Sequence, residues 1–159
     1  MVNWIIGTTA GKMLSTFLIS MVPVIELRVG LPYGIALGLD YPLALVSAVL
    51  GNMLPVPFVI IFIEKIFAWM RTRHPKLNGI VTRLEERADD KSELVEKIGP
   101  IGLCLFVAIP LPGTGAWTGA LIAAVMNLKL KHSVPAIFLG VVIASMIMTA
   151  VTFGVIHVL

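Results

Sequence analysis

The chain has 159 residues, 58% of them hydrophobic and 13% charged, with 12 Lys and Arg against 9 Asp and Glu. Soluble domains average about 45–50% apolar and roughly 25% charged residues, so this charge content and a mean hydropathy of +0.98 exclude a disordered tail, a nucleic-acid binder and an ordinary cytosolic enzyme. The charges are also segregated, 15 of them between Glu64 and Lys97 and six elsewhere, so the small basic excess reports membrane topology rather than an anionic partner.

In chain order, residues 13–25 form an apolar run behind Lys12. A signal peptide needs a basic start and a small-residue cleavage site. Residues 1–11 carry no basic side chain and the run leads into Glu26 and Arg28, so it reads as mature chain. A bilayer crossing needs about 20 apolar residues, a length this run reaches only by continuing through the two charges to Leu39. Residues 41–63 qualify as a simple span, and so do 133–159. The run 98–128 is longer than one crossing and carries Pro110, Pro112, Gly113 and Gly115 at its middle. Proline removes a ladder hydrogen bond and glycine lowers helix stability, so the first and third runs break halfway.

A broken run is either a kinked span or two half-helices folded into a re-entrant hairpin. Gly30, Gly34 and Gly38 recur as Gly115, Gly119 and Ala123 at a displacement of 85, while Gly51 answers Gly140 at 89, as if four residues were inserted near 129–132. This reads as a weak duplication. With hairpins, each repeat crosses the membrane once and the second is inverted relative to the first. Ten Lys and Arg then share one face with the 64–97 segment and only Lys12 lies opposite, which makes the 64–97 side cytoplasmic. Kinked spans would scatter Lys129 and Lys131 to the other side, so the charge rule favours hairpins.

The expected fold is an all-α polytopic membrane protein, one domain over 1–159, multi-pass in a cell membrane. Repeat 1 takes 11–63, with a re-entrant hairpin at 13–39 and a transmembrane helix at 41–63. Repeat 2 takes 98–159, with a hairpin at 98–128 and a transmembrane helix at 133–157. Between them, Leu77, Ile80, Val81, Leu84, Ala88, Leu94, Val95 and Ile98 recur at helical spacing over 64–97, an amphipathic cytoplasmic linker helix lying on the membrane surface, with Trp69 at the interface. A regulatory or partner-binding role is the alternative for it.

Glu26-Leu27-Arg28 is the sharpest functional feature. A charge at the bilayer centre costs from about 3 to over 10 kcal/mol and normally faces a cavity or a partner. Residues two apart on a helix do not face each other, so either the pair meets in a turn as a structural lock or the two serve substrate contact and proton coupling. Arg28 suits an anionic headgroup. Asp40, at a membrane boundary, reads as a helix cap or a proton-uptake group. Pro23 and Pro32 frame the charges, and a half-helix is expected to start near Pro32 with its positive end at the midplane.

In the second repeat, Pro110, Pro112, Gly113, Thr114 and Gly115 form an irregular loop ahead of a half-helix near Trp117. That loop is either a second anion-binding tip or a tight turn for close packing. The glycine stripes read as helix-packing surfaces. Cys104 is a lone buried thiol. No catalytic set, metal site or cofactor is expected: His132 and His157 stand isolated, His74 lies among basic residues, and no Ser, His and acid set occurs in the apolar runs.

Pro23-Val-Ile-Glu26-Leu-Arg28, Gly30-Leu-Pro32, Gly51-Asn52 and the run from Ala108 through Pro110, Pro112 and Trp117 to Ala120 resemble the small multidrug export protein family of bacteria and archaea. That family is similar in its duplicated hairpins to the DedA superfamily with its VTT-domain scramblases and undecaprenyl phosphate translocases. The resemblance implies facing re-entrant hairpins whose acidic and arginine residues carry transport or lipid flipping. DedA proteins have an arginine motif in the second hairpin, where this chain has no charge. A phosphate-bearing lipid, a smaller anion and a cationic compound drawn to Glu26 are therefore all substrates to weigh. The expected function is a carrier or flippase, with a multidrug-type exporter or a non-transporting membrane scaffold as alternatives. The expected partners are membrane lipids and a small-molecule or lipid-phosphate substrate, and a homodimer is expected from the glycine stripes; nucleic acid is not.

Overall fold

Prolines and caps divide the chain into helices. In the computed structural model, which describes residues 7–73, 75–90, 93–111 and 113–158, α1 (Thr9–Met21) begins where the Thr8 hydroxyl accepts from the Gly11 amide at 3.1 Å. It ends because Val22, extended ahead of Pro23, cannot continue the helix. Next come α2 (Glu26–Ala36), α3 (Tyr41–Met53) and α4 (Pro55–Arg73). The backbone stays right-handed through Leu54, so α3 and the start of α4 make one apolar stretch, Tyr41–Ile63, of 23 residues. Then follow α5 (Pro75–Asp90), α6 (Glu93–Ile98), α7 (Pro100–Ala108), α8 (Ala116–Val125) and α9 (Leu130–Val158), the last with a second apolar stretch of 25 residues, Leu130–Gly154. Among the described residues there is no strand. His74 and Pro112 lie outside the described residues, as do the side chains of Leu77, Leu94 and His157.

A core helix of a soluble protein is mostly buried, whereas only 28% and 33% of these two stretches is buried. Leu50, Phe58, Leu139 and Met146 stand open along them. Apolar surface on that scale needs hydrocarbon for a solvent, so the chain is an all-helical membrane protein with two helices long enough to cross.

α1 packs on α2 and α3, α7 along α9, and α8 against α4. Small residues allow the close approaches, as the glycine stripes imply. A Cβ on Gly30 would fall 1.8 Å from Ser20 Oγ, and one on Gly34 would fall 2.8 Å from Thr16 Oγ1. Those hydroxyls donate to carbonyls one turn back, Ser20 to Thr16 and Thr16 to Lys12, each at 2.8 Å, so both stay paired where the helices meet, whereas Ser47 Oγ and Asn52 Oδ1 of α3 are buried without a hydrogen-bond partner among the described residues. Leu27, Leu31, Leu103, Ile122 and Ile137 fill the core.

α2 and α8 end alike. Leu39 N–H donates to Gly34 O and Gly38 N–H to Ile35 O; Leu128 N–H donates to Ala123 O and Asn127 N–H to Ala124 O. Both are Schellman ends, with Gly38 and Asn127 in the left-handed region at φ 73° and 53°. Every pair is 89 residues apart, as are Gly51, which sits on the Phe17 backbone, and Gly140, which sits on the Cys104 backbone. The displacement is thus 89 from α2 and α8 onward, with no insertion needed at 129–132, while the residues of α1 and α7 that the matched glycines meet, Phe17 and Cys104 or Ser20 and Val107, are 87 apart. The 85 suggested by the glycines arises because a stripe of period four matches itself when shifted by four.

Three local expectations are corrected. α2 starts at Glu26, with Pro32 inside it, because membrane helices tolerate an internal proline. α4 runs past Ile63 to Arg73, since nothing stops it before Pro75. In the 64–97 segment, Val81, Ala88 and Val95 are buried. α5 packs on α4 and α8, and α6 packs on α7, so these three residues of the face expected to lie on the membrane surface are turned inward, while Ile80 and Ile98 of the same face stay exposed.

Candidate functional site

The turn 22–25 between α1 and α2 and the loop 109–115 between α7 and α8 meet, and the residues around the turn carry the charges. Glu26 is 4% exposed and sits at φ 52°. The left-handed region costs a non-glycine residue about 1–2 kcal/mol, a strain held by what its carboxylate does. Oε1 accepts from the Trp117 amide at 3.1 Å, with the Ala116 amide beside it. The formal cap of α8, Gly115, has no side chain to offer, and a Cβ there would lie 1.5 Å from Glu26 Oε2. Glu26 therefore caps α8 from across the junction, its negative charge on the positive end of that helix.

Arg28 points into the same junction. Its Nη1 donates to the Leu111 carbonyl and its Nη2 to Thr114 Oγ1 at 3.0 Å. The Thr114 hydroxyl donates to the Ile109 carbonyl at 2.6 Å, which ties the loop to the end of α7. From the other side, the Trp117 indole donates to the Met21 carbonyl at 3.0 Å and closes the last turn of α1. Arg28 and Trp117 are 89 residues apart, and these matching positions each reach across to a backbone carbonyl, Arg28 to Leu111 in the loop and Trp117 to Met21 at the end of α1. The ion pairs of the described residues do not include one between Glu26 and Arg28; each charge is met by backbone and hydroxyl groups instead.

Beside the junction lies a cavity of about 350 Å³, within the range of small-ligand sites. Glu26, Arg28 and Trp117 form one wall; Val59 and Phe67 of α4 and Leu84 of α5 form the other. The arrangement can hold an apolar body while offering a carboxylate and a guanidinium at one end. Pro23, Gly113 and Gly115 also border the cavity, whereas Pro110 ends α7 behind it. Asp40 stands apart: exposed, at the cap position of α3, with no side-chain cap bond. Among the described residues no group of three or more His, Cys, Asp and Glu can hold a metal ion.

Sequence reasoning missed the carbonyls of Met21 and Leu111 and the far wall of the cavity. The signal for the first was present: a displacement of 89 sets Glu26 against Gly115 and Arg28 against Trp117.

A family model described as "Putative small multi-drug export protein" matches residues 26–147, a stretch that includes Glu26, Arg28 and the loop 109–115 but not the turn 22–25. Comparison with curated proteins and with solved structures returns no match.

Proposed function

The chain belongs to this small multi-drug export protein family, and on that premise we propose that it is a membrane carrier, not an enzyme, moving a small amphiphile or a phosphate-bearing lipid headgroup through the cavity beside Glu26 and Arg28. What supports this is one observation: an apolar cavity whose polar end is a buried carboxylate and a half-buried guanidinium at the meeting of two irregular loops. Ionisable groups at membrane depth mark transport pathways by default. In this reading α1–α2 and α7–α8 are re-entrant hairpins of an inverted, DedA-like pair of repeats in the cell membrane, with α5 and α6 on the cytoplasmic side. Proton coupling falls to Glu26, and Asp40 serves proton uptake at the boundary. Gly30, Gly34, Gly51, Gly119 and Gly140 meet groups of their own chain, so the homodimer, kept as part of this reading, does not rest on those stripes.

The test is transport by protein in liposomes, with ethidium and a fluorescent phosphatidylglycerol as probes. The wild type moves at least one of them faster than protein-free liposomes, and Glu26→Gln, which keeps an oxygen for the Trp117 amide, folds but loses at least tenfold in rate. A wild type that moves neither, or a variant that matches it, overturns the reading. The same satisfied contacts favour a second reading, a non-transporting scaffold in which the junction is a lock. There the probes cross no faster than in protein-free liposomes.

A further inference from the structure

One residue of the far wall, Leu84, comes from a segment the transport reading leaves unused. α5 presents Val81, Leu84, Glu85 and Ala88 on one face at helical spacing. Val81 and Ala88 are buried at 0% and 1% exposure, and Leu84, between them, borders the cavity that holds Glu26 and Arg28. Glu85, next along that face, forms an ion pair with Arg71 near the end of α4. A second cavity of about 270 Å³ is bordered by this ion pair and shares Ile63 and Phe67 with the first.

We propose that α5 is a lid on the Glu26/Arg28 cavity, with Leu84 as its plug and the Arg71–Glu85 ion pair as its clasp. When the clasp opens, the two cavities join into one path from the α4–α5 edge to the junction. The clasp is suited to opening: its side chains are 44% and 34% exposed, where an ion pair holds weakly and salt screens it. The plug is one leucine, so lifting α5 uncovers Leu84 together with its buried neighbours Val81 and Ala88. The purpose of the lid, admitting substrate, rests on the carrier reading; its motion does not.

The experiment reads the motion without any substrate. Leu121, which borders the first cavity, is replaced by cysteine in a Cys104→Ser background. The protein in nanodiscs of phosphatidylcholine and phosphatidylglycerol is then treated with a charged, membrane-impermeant methanethiosulfonate. Modification is slow with the clasp intact, and Glu85→Gln speeds it by up to about fivefold, the most an exposed ion pair supports. Arg71→Glu with Glu85→Arg returns it toward the slow rate. A cysteine at Ser133, fully buried in α9, stays unmodified throughout. An unchanged rate in Glu85→Gln, a swap as fast as the single variant, or modification at 133 rising in parallel overturns the lid. If transport fails while the labelling pattern holds, the carrier reading falls and the lid stands.

Discussion

The first turn of α2 carries two charges within three residues, Glu26 and Arg28, whereas the stretch leading from α7 into α8 carries none between Ile109 and Trp117. By its letters alone, the 109–117 stretch resembles a site that has lost its charge. In the folded chain it is the complement of the first: two amides at the start of α8 receive the carboxylate, and a carbonyl and a hydroxyl of the loop receive the guanidinium. A buried charge is tolerated when its hydrogen bonds are filled, and a counter-charge is only one way to fill them. Irregular backbone with glycine at the point of contact is another, and it needs no charge of its own.

That complementarity is broken most completely by exchanging the charges. In an isolated ion pair, Glu26→Arg with Arg28→Glu would be tolerated. Here it sets a guanidinium on the positive end of α8, and the doubly substituted protein is expected not to yield a folded, monodisperse species on size exclusion. Gly115→Ala comes next: its methyl takes the space of Glu26 Oε2, and dislodging a buried charge from its partners costs about 3–5 kcal/mol, seen as a large fall in melting temperature in detergent. Thr114→Val, nearly the same shape, removes the hydroxyl that Arg28 uses and is expected to cost about 1.5–3 kcal/mol, as for bonds to charged groups. Trp117→Phe removes only the neutral bond to Met21, so about 1 kcal/mol is lost, with the Glu26 contact intact because it uses the Trp117 backbone. A Trp117→Phe loss as large as that of Gly115→Ala would mean the indole, not the carboxylate, holds the loops together.

The fold's outline was legible because hydropathy and proline act locally: the two long apolar stretches and the break at 109–115 stand in the sequence as they stand in the chain. Glu26 and Arg28 were legible too, since charge in an apolar run has few explanations. Their partners were not, because backbone amides and carbonyls have no letter in a sequence; only the glycine that makes room for the carboxylate does, and its stripe of period four hid the true displacement. The inward face of α5 was hidden for a related reason. An amphipathic stripe fixes which side is apolar, not whether lipid or protein covers it.

The central claim is that Arg28 is bound to the second loop rather than to Glu26, and a double-mutant cycle on unfolding free energy in mixed micelles tests it most directly. Arg28→Met and Thr114→Val, made singly and together, are expected to be coupled by about 1 kcal/mol or more, beyond the few tenths seen for independent sites. Additivity within about 0.5 kcal/mol would contradict it.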